Sequence, residues 1–427
     1  MSGKDLGGIT EFVFNPQDPA FYDRKDLYAE ERRIFEICHG CRLCAGLCPS
    51  FDILFDLLDS RDISAEALTD DDLGAVMAPC FYCKLCYTKC PYTPPHEFRL
   101  DFPHLALRHK AVVFKEKGAS LAARMLADPA GMARKARPLA PLANAANQNR
   151  LARKAMAPLL RIHPDAPLPP VAFRTFTSRF RKLPKPSEAK ERVVLFTTCL
   201  VDANYPELGE VLVRFLNACS VEVLLPEGLD CCGIPSFDIG DLETAAAKAR
   251  RNVKALLPYV QQGLAVIAPV SSCAMALSRE YPLLVPGEEA KAVAGAVRDL
   301  FDYLADLKSR GLWPKGEPRP LGEVAYHLPC HLKQMGAGFK GRDLFKDLPG
   351  TTVKVLDACS GHDGTYGIRL ETYDDSMKVG RKLLGRAKEA RGTLVTECPL
   401  SGLQITHGTG REALHPLLLL ARAYGIE

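Results

Sequence analysis

Cys38-x-x-Cys41-x-x-Cys44-x-x-x-Cys48-Pro49, followed after 31 intervening residues by Cys80-x-x-Cys83-x-x-Cys86-x-x-x-Cys90-Pro91, is the stretch from which the rest of this chain is read. Three thiolates at intervals of three wrap one corner of an iron–sulfur cube. The fourth, displaced by one residue and followed by Pro, points away and ligates the other cube. The expected sharing is Cys38, Cys41, Cys44 and Cys90 on one cluster, and Cys80, Cys83, Cys86 and Cys48 on the second. Structural zinc uses paired Cys-x-x-Cys ribs rather than two four-cysteine runs each closed by Cys-Pro. Two 4Fe-4S clusters are therefore expected. Such a pair has no open substrate position and relays electrons.

Between the runs, Phe51, Leu54, Phe55 and Leu58 recur at helical spacing. Thr69 ahead of three Asp residues and a second apolar series reads as a capped helix start. Two helices here favour an α-helical ferredoxin module, by analogy with the iron–sulfur subunits of quinone-linked dehydrogenases. Ahead of the first run a short charged helix is expected over Ala29–Ile37. Residues 1–30 otherwise read as irregular, with Pro16 and Pro19 as breakers.

The chain has 427 residues, 47% apolar and 25% charged, which suits two to four globular domains. The opening MSGKDLGGITEF lacks a basic-plus-apolar leader. No apolar run approaches the length of a membrane span. The 16 Cys, in metal-ligand spacing, argue for a reducing cytoplasm, with a peripheral position at the inner membrane face as the alternative. The net charge of +4 hides a segregation: residues 1–96 sum to −7, residues 97–192 to +13, and the remainder to −2. The middle segment has helical patterns over about 118–136 and 142–161. Its basic residues include Arg134, Lys135, Arg137, Arg150, Arg153, Lys154, Arg174, Arg179, Arg181 and Lys182. It reads as a packed connector, or as a surface for anionic lipid or an acidic partner. No basic-and-aromatic readout motif for nucleic acid stands out.

From Val193 short β-branched runs alternate with helices. Residues 193–199, 221–226 and 265–273 read as buried strands, with a helix over 239–260. The pattern then repeats: strands at 323–330, 351–359 and 393–399, and a helix at about 371–390. Such runs between helices suggest parallel sheets covered on both faces. The expected domains are 1–96 (cluster module), 97–192 (basic helical connector), 193–320 (first α/β lobe) and 321–427 (second α/β lobe). Cys199 and Cys231 correspond to Cys330 and Cys359. An offset of 128 residues pairs Val270 with Cys398 and Cys273 with Ser401. These cysteines fall at the carboxyl ends of strands, where open α/β sheets hold ligands. Gly233 and Gly361 follow Cys231-Cys232 and Cys359-Ser360. They are expected to allow a tight turn and a close approach of the backbone to a bulky cluster.

The lobes resemble the Cys-Cys-Gly domains of heterodisulfide reductase subunits and of the C subunit of anaerobic glycerol-3-phosphate dehydrogenase. The resemblance rests on Cys199 with Asn204-Tyr205-Pro206-Glu207-Leu208-Gly209, Cys231-Cys232-Gly233-Ile234-Pro235 and Ser271-Ser272-Cys273. It continues in His327-Leu328-Pro329-Cys330-His331, Cys359-Ser360-Gly361, Gln404-Ile405 and His415-Pro416. It implies an electron-transfer subunit working between a redox partner protein, such as a dehydrogenase, and a thiol, quinone or membrane carrier. The family pattern supplies five thiolates per lobe for a non-cubane cluster. Val270 leaves the first lobe with four, Cys199, Cys231, Cys232 and Cys273, and a third iron–sulfur cluster is expected there, cubane or non-cubane. Ser360 and Ser401 leave the second with Cys330, Cys359 and Cys398. With His331 or His362 these suit zinc, or no metal. His327 reads as a hydrogen-bonded core residue and Cys219 as a small core residue. Besides the relay, the sequence is compatible with a stand-alone reductase acting at the first-lobe cluster on a disulfide, quinone or peroxide-linked acceptor, and with a redox-sensing scaffold. No G-x-G-x-x-G follows a strand.

Overall fold

The computed structural model describes residues 14–336 and 338–426. The chain forms two compact units. One comprises the residues up to Ala127 together with Pro235–Thr244. The other comprises Asp128–Ile234 and the chain from Ala245 onward.

The first unit is helical. Asp23 accepts a hydrogen bond from the Asp26 N–H and starts the helix Arg24–Cys41. That cap lies ahead of the expected Ala29, so the helix is longer at both ends. Of the stretch read as irregular, residues 1–13 lie outside the described residues, and Pro19–Tyr22 forms a turn of 3-10 helix. Pro49 opens the helix Pro49–Arg61, as Pro at a first helical position does. Thr69 and Asp72 form a reciprocal capping box at the start of Asp70–Met77. Asp101 caps Phe102–Lys117. Leu27, Ile34, Phe51, Leu54, Val76 and Leu105 meet in one core. Each such side chain contributes about 1.5–3 kcal/mol on burial. Because Phe102–Lys117 supplies part of this core, the module's packing runs past residue 96. The loop Pro235–Thr244 completes the unit. Phe237 meets Tyr82 edge-on at 5.3 Å between ring centroids. Gly240, at φ +77°, lies so close to Lys110 that a Cβ would stand 2.2 Å from the Lys110 carbonyl oxygen.

The second unit carries two four-stranded parallel sheets of identical topology. In the first, β1 (Glu191–Leu195), β2 (Val221–Leu224), β3 (Val266–Ala268) and β4 (Val297–Asp299) take the order β2-β1-β3-β4. In the second, β5 (Gly322–His327), β6 (Thr351–Leu356), β7 (Thr393–Thr396) and β8 (Ala413–Leu414) take the order β6-β5-β7-β8. All pairings are parallel. The expected helices appear as Leu242–Val260 and Tyr373–Glu389. The expected fold class, a helical cluster module plus two repeated parallel-sheet lobes, is the one observed. The edge strands β4 and β8 are additions to it. At three and two residues they carry no apolar run to read.

The connector's two long helical patterns are each broken. Pro129 starts a new helix, Pro129–Ala136, after Leu121–Leu126. Asn149 caps Arg150–Leu160 after Ala140–Gln148. The lobes are tied together by an aromatic cluster: Trp313 donates its indole N–H to the Tyr424 hydroxyl at 2.8 Å, and both rings pack edge-on against Phe215.

Candidate functional site

None of the sixteen cysteines is in a disulfide. In the first unit the two runs turn the same way. Arg42 and Lys84, each directly after the second cysteine of its run, have φ +54° and +58°. This left-handed conformation, uncommon for non-glycine residues, curls three thiols toward one point. Burial pushes the Cys38 thiol up, and Cys44, Cys90 and Cys41 add to that shift as near neighbours. Burial raises Cys44 to about 11, with Cys90 and Cys41 again adding. For Cys86, burial is the main cause of a raised thiol, followed by Cys80 and Cys48 and then by Cys44 and Cys38 of the first run. A small cavity is lined by Cys48, Cys80, Cys83 and Cys86 together with Phe51, Phe81, Tyr82 and Phe102. The structure thus gathers Cys38, Cys41, Cys44 and Cys90 as one set and Cys48, Cys80, Cys83 and Cys86 as another. Each set takes one cysteine from the other run, the second set is walled by aromatic side chains, and each offers four thiols that suit an inorganic cube.

In the second unit the cysteines follow the strands in the same way in both lobes. Cys199 opens the helix Cys199–Ala203 and Cys330 opens Cys330–Met335. Val270 and Cys398 are the N-cap residues of Ser271–Met275 and Pro399–Thr409. The chain enters the Cys199 helix through Thr198 at φ +63°, a strained conformation for a β-branched residue. In the first lobe the Cys231 and Cys199 sulfurs lie 3.9 Å apart. Hydrogen bonding with Cys199 and Cys232 holds the Cys231 thiol well below its usual value, with the Lys248 ammonium adding to the effect. Cys232 in turn bonds with Cys273. The four first-lobe cysteines form one set, three of them buried and Cys199 half-buried, with the chemistry to hold an iron–sulfur group.

The residues around them lock this arrangement. Asn252 accepts from the Asp230 N–H at 2.7 Å and donates to the Cys231 carbonyl at 3.2 Å and the Tyr281 hydroxyl at 2.8 Å. Tyr281 donates to the Cys232 carbonyl at 3.1 Å. The lobes meet at their cysteine-bearing ends, where His331 Nδ1 and the Ser272 hydroxyl lie 2.8 Å apart. His415 Nε2 donates to the Pro269 carbonyl at 3.0 Å.

Two family models match the chain: a citrate utilization protein B Fer4-like domain over residues 31–113, and a cysteine-rich domain found twice, over 193–278 and 324–406. The C subunit of anaerobic glycerol-3-phosphate dehydrogenase from Escherichia coli (strain K12) is 33% identical over 297 residues, covering 67% of this chain and 73% of that protein. The chain belongs to the family of that dehydrogenase's C subunit. Lactate utilization protein A 2 of Bacillus cereus (strain Q1) is 28% identical over 195 residues, 44% of this chain and 78% of the relative. These likenesses, with the ferredoxin-like and cysteine-rich domains, give the chain an iron–sulfur, oxidoreductase-related role.

Within this family framework the second lobe differs from the first. The two serines at missing cysteine positions satisfy each other: Ser360 and Ser401 hydroxyls lie 3.0 Å apart. Cys359 and Cys398 both act on Cys330, and burial raises all three thiols, Cys359 to about 11. His327 is engaged at both nitrogens, with Thr396 at 2.9 Å and the Ala358 carbonyl at 3.1 Å, and has no free ligand position. Among the described residues, Cys330, His331 and Asp363 place one ligand atom each within 4.8 Å of one another. Sequence reasoning misses Asp363, since an acid in His362-Asp363-Gly364 reads as a turn residue. Cys219 is a buried core residue, as expected.

The glycines of the Cys-Cys-Gly turns do permit the tight turn. They also make room for a neighbouring helix. A Cβ on Gly233 would lie 3.3 Å from the Ala245 carbonyl oxygen, and one on Gly361 2.1 Å from that of Ser376. Each glycine lets a helix close onto the turn.

Proposed function

We propose that this chain is the iron–sulfur electron-transfer subunit of a multi-component oxidoreductase, relaying electrons between a partner dehydrogenase or reductase and a quinone, thiol or other acceptor. What supports the reading is that Cys48 lines one cavity with Cys80, Cys83 and Cys86, while Cys90 acts on Cys38 and Cys44 of the other run. Cys38, Cys41, Cys44 and Cys90 would hold one 4Fe-4S cluster, and Cys48, Cys80, Cys83 and Cys86 the other. Cys199, Cys231, Cys232 and Cys273 would hold a third iron–sulfur centre. Bound there, such groups take up and release single electrons. The chain's own part is to exclude water, fix the sulfurs and present a partner surface. The likeness to a protein named as a dehydrogenase subunit supports a protein partner. Anaerobic isolation from native cells should bring down a dehydrogenase that reduces this chain with its own substrate. Steady-state turnover of a disulfide or quinone by the isolated chain would replace the relay with a stand-alone reductase.

The second lobe suits zinc better than a cluster. Its Ser360–Ser401 pair removes two thiolate positions, and Cys330, His331 and Asp363 offer a mixed donor set with Cys359 and Cys398 close by. His362 remains the alternative nitrogen.

The connector supports peripheral docking. No helix among the described residues is long and apolar enough to cross a membrane. Several of the connector's basic groups are consumed internally. Arg153 is buried on the His163 and Ala166 carbonyls, and Arg179 pairs with Glu207 and Glu210. Arg134, Lys135 and Lys154 remain exposed beside exposed Leu139, Leu142, Leu151 and Leu159. Basic groups interleaved with bare leucines suit the headgroup layer of an anionic membrane. Cosedimentation with phosphatidylglycerol vesicles should fall as salt rises, since the screening length shrinks from about 30 Å at 0.01 M to about 8 Å at 0.15 M. Leu142→Glu with Leu159→Glu should weaken it further. Equal recovery with neutral vesicles would return the segment to a packed connector.

A further inference from the structure

The helix Leu242–Val260 lays a buried stripe against the Cys231-Cys232-Gly233 turn. Ala245 closes on Gly233, its Cα 3.4 Å from where a Cβ would stand. Asn252 bonds the Cys231 carbonyl. Lys248 lies one turn from each, on the same face, and is only 5% exposed. A buried lysine is costly unless its charge is answered. It forms an ion pair with Asp128, at 3.4 Å between Nζ and Oδ1, and that carboxylate is half exposed. Asp230, the other nearby acid, is held by Arg251 at 2.6 Å. Lys248 thus stands on the helix face that meets the Cys231-Cys232-Gly233 turn, between the two residues that touch it. In the second lobe the equivalent helix meets its turn with Ser376 and Gly380. The buried cation is therefore a feature of the lobe that keeps four thiols.

We infer that Lys248 tunes the reduction potential of the iron–sulfur group held by Cys199, Cys231, Cys232 and Cys273, and that Asp128 attenuates it. This rests on the reading that the first lobe holds such a group. One electron added there adds one negative charge beside the ammonium, in surroundings where charges are weakly screened. The positive charge favours the reduced state and Asp128 opposes it.

The test uses full-length, anaerobically purified protein, titrated with dithionite and mediators and followed by electron paramagnetic resonance. The first-lobe signal is identified as the one lost in Cys273→Ala. In Lys248→Met the ratio of reduced to oxidised centre at the wild-type midpoint should fall at least tenfold, which for one electron is about 59 mV. Lys248→Arg, which keeps the charge, should stay near wild type. Asp128→Asn, which still caps its helix, should move the midpoint the opposite way. Unchanged midpoints in Lys248→Met and Asp128→Asn, or equal shifts in Lys248→Met and Lys248→Arg, would overturn the inference. If Lys248→Met loses the centre, Asp128→Asn decides alone: an upward shift supports the inference and an unmoved midpoint overturns it. A wild-type protein without a Cys273-dependent signal would instead remove the cluster reading on which the inference depends.

Discussion

Anaerobically purified Cys86→Ala protein is expected to carry about four fewer iron atoms and four fewer labile sulfides per chain than the parent. Cys359→Ala protein should keep the parent's iron and sulfide and lose only zinc. The contrast follows from what surrounds each thiol. Cys86 belongs to a set that includes Cys80 and Cys48 and lines the cavity with them. Removing it would leave a cluster held there with three thiolates in place of four. Cys359 sits beside Ser360, whose hydroxyl is already spent on Ser401. A neutral hydroxyl is a far weaker iron ligand than a thiolate, which gives up its proton on binding metal. Metal analysis by mass spectrometry, with a colorimetric sulfide assay, reads both variants. Parent protein rich in zinc and free of sulfide would end the cluster reading. Loss of iron in folded Cys359→Ala would show that the second lobe holds a cluster despite its two serines.

Gly361→Ala should destabilise the second unit by about 3 kcal/mol or more, and Gly233→Ala by about 2 kcal/mol. Both positions have positive φ, +77° and +95°, which a Cβ strains. The difference lies in the neighbours. At Gly361 the Cβ would fall 2.1 Å from the Ser376 carbonyl oxygen and 2.9 Å from the Gly380 nitrogen, both backbone, so the helix Tyr373–Glu389 must move bodily. At Gly233 the nearest atom is 3.3 Å away. The larger penalty should appear as a fall of roughly 6 °C or more in unfolding midpoint, scaled for a domain of this size. Equal midpoints for the two variants would mean that helix closure on the second turn is not what Gly361 provides.

The parts of the molecule legible in the sequence are those where chemistry repeats at fixed spacing. The eight cysteines of the first unit, the two sheets and the helix starts at Thr69 and Pro49 announce themselves by period, cap or doublet. What escapes is what depends on which way a residue faces. Lys248 sits in Lys248-Ala-Arg250-Arg251, where a basic residue reads as solvated. Yet Ala245, Ala249, Asn252, Val253 and Leu256 are buried at helical spacing, and Lys248 falls on that stripe. A polar residue on an apolar face is the available signal. The strands β4 and β8 are defined by pairing alone, with Arg298 in the middle of one. Asp363 becomes interesting only when the fold brings it to Cys330.

The loop Pro235–Thr244 sets the order in which the molecule is finished. The first unit takes ten residues that are translated only after the 107 residues of Asp128–Ile234. At about 5–20 residues per second that is a delay of roughly 5–20 s on the ribosome. Through that interval all eight cysteines of the module have been made, while Tyr82, between Cys80 and Cys83, still lacks the Phe237 ring that covers it. The nascent chain thus has a timed opening beside its second cysteine run, after which the loop seals it.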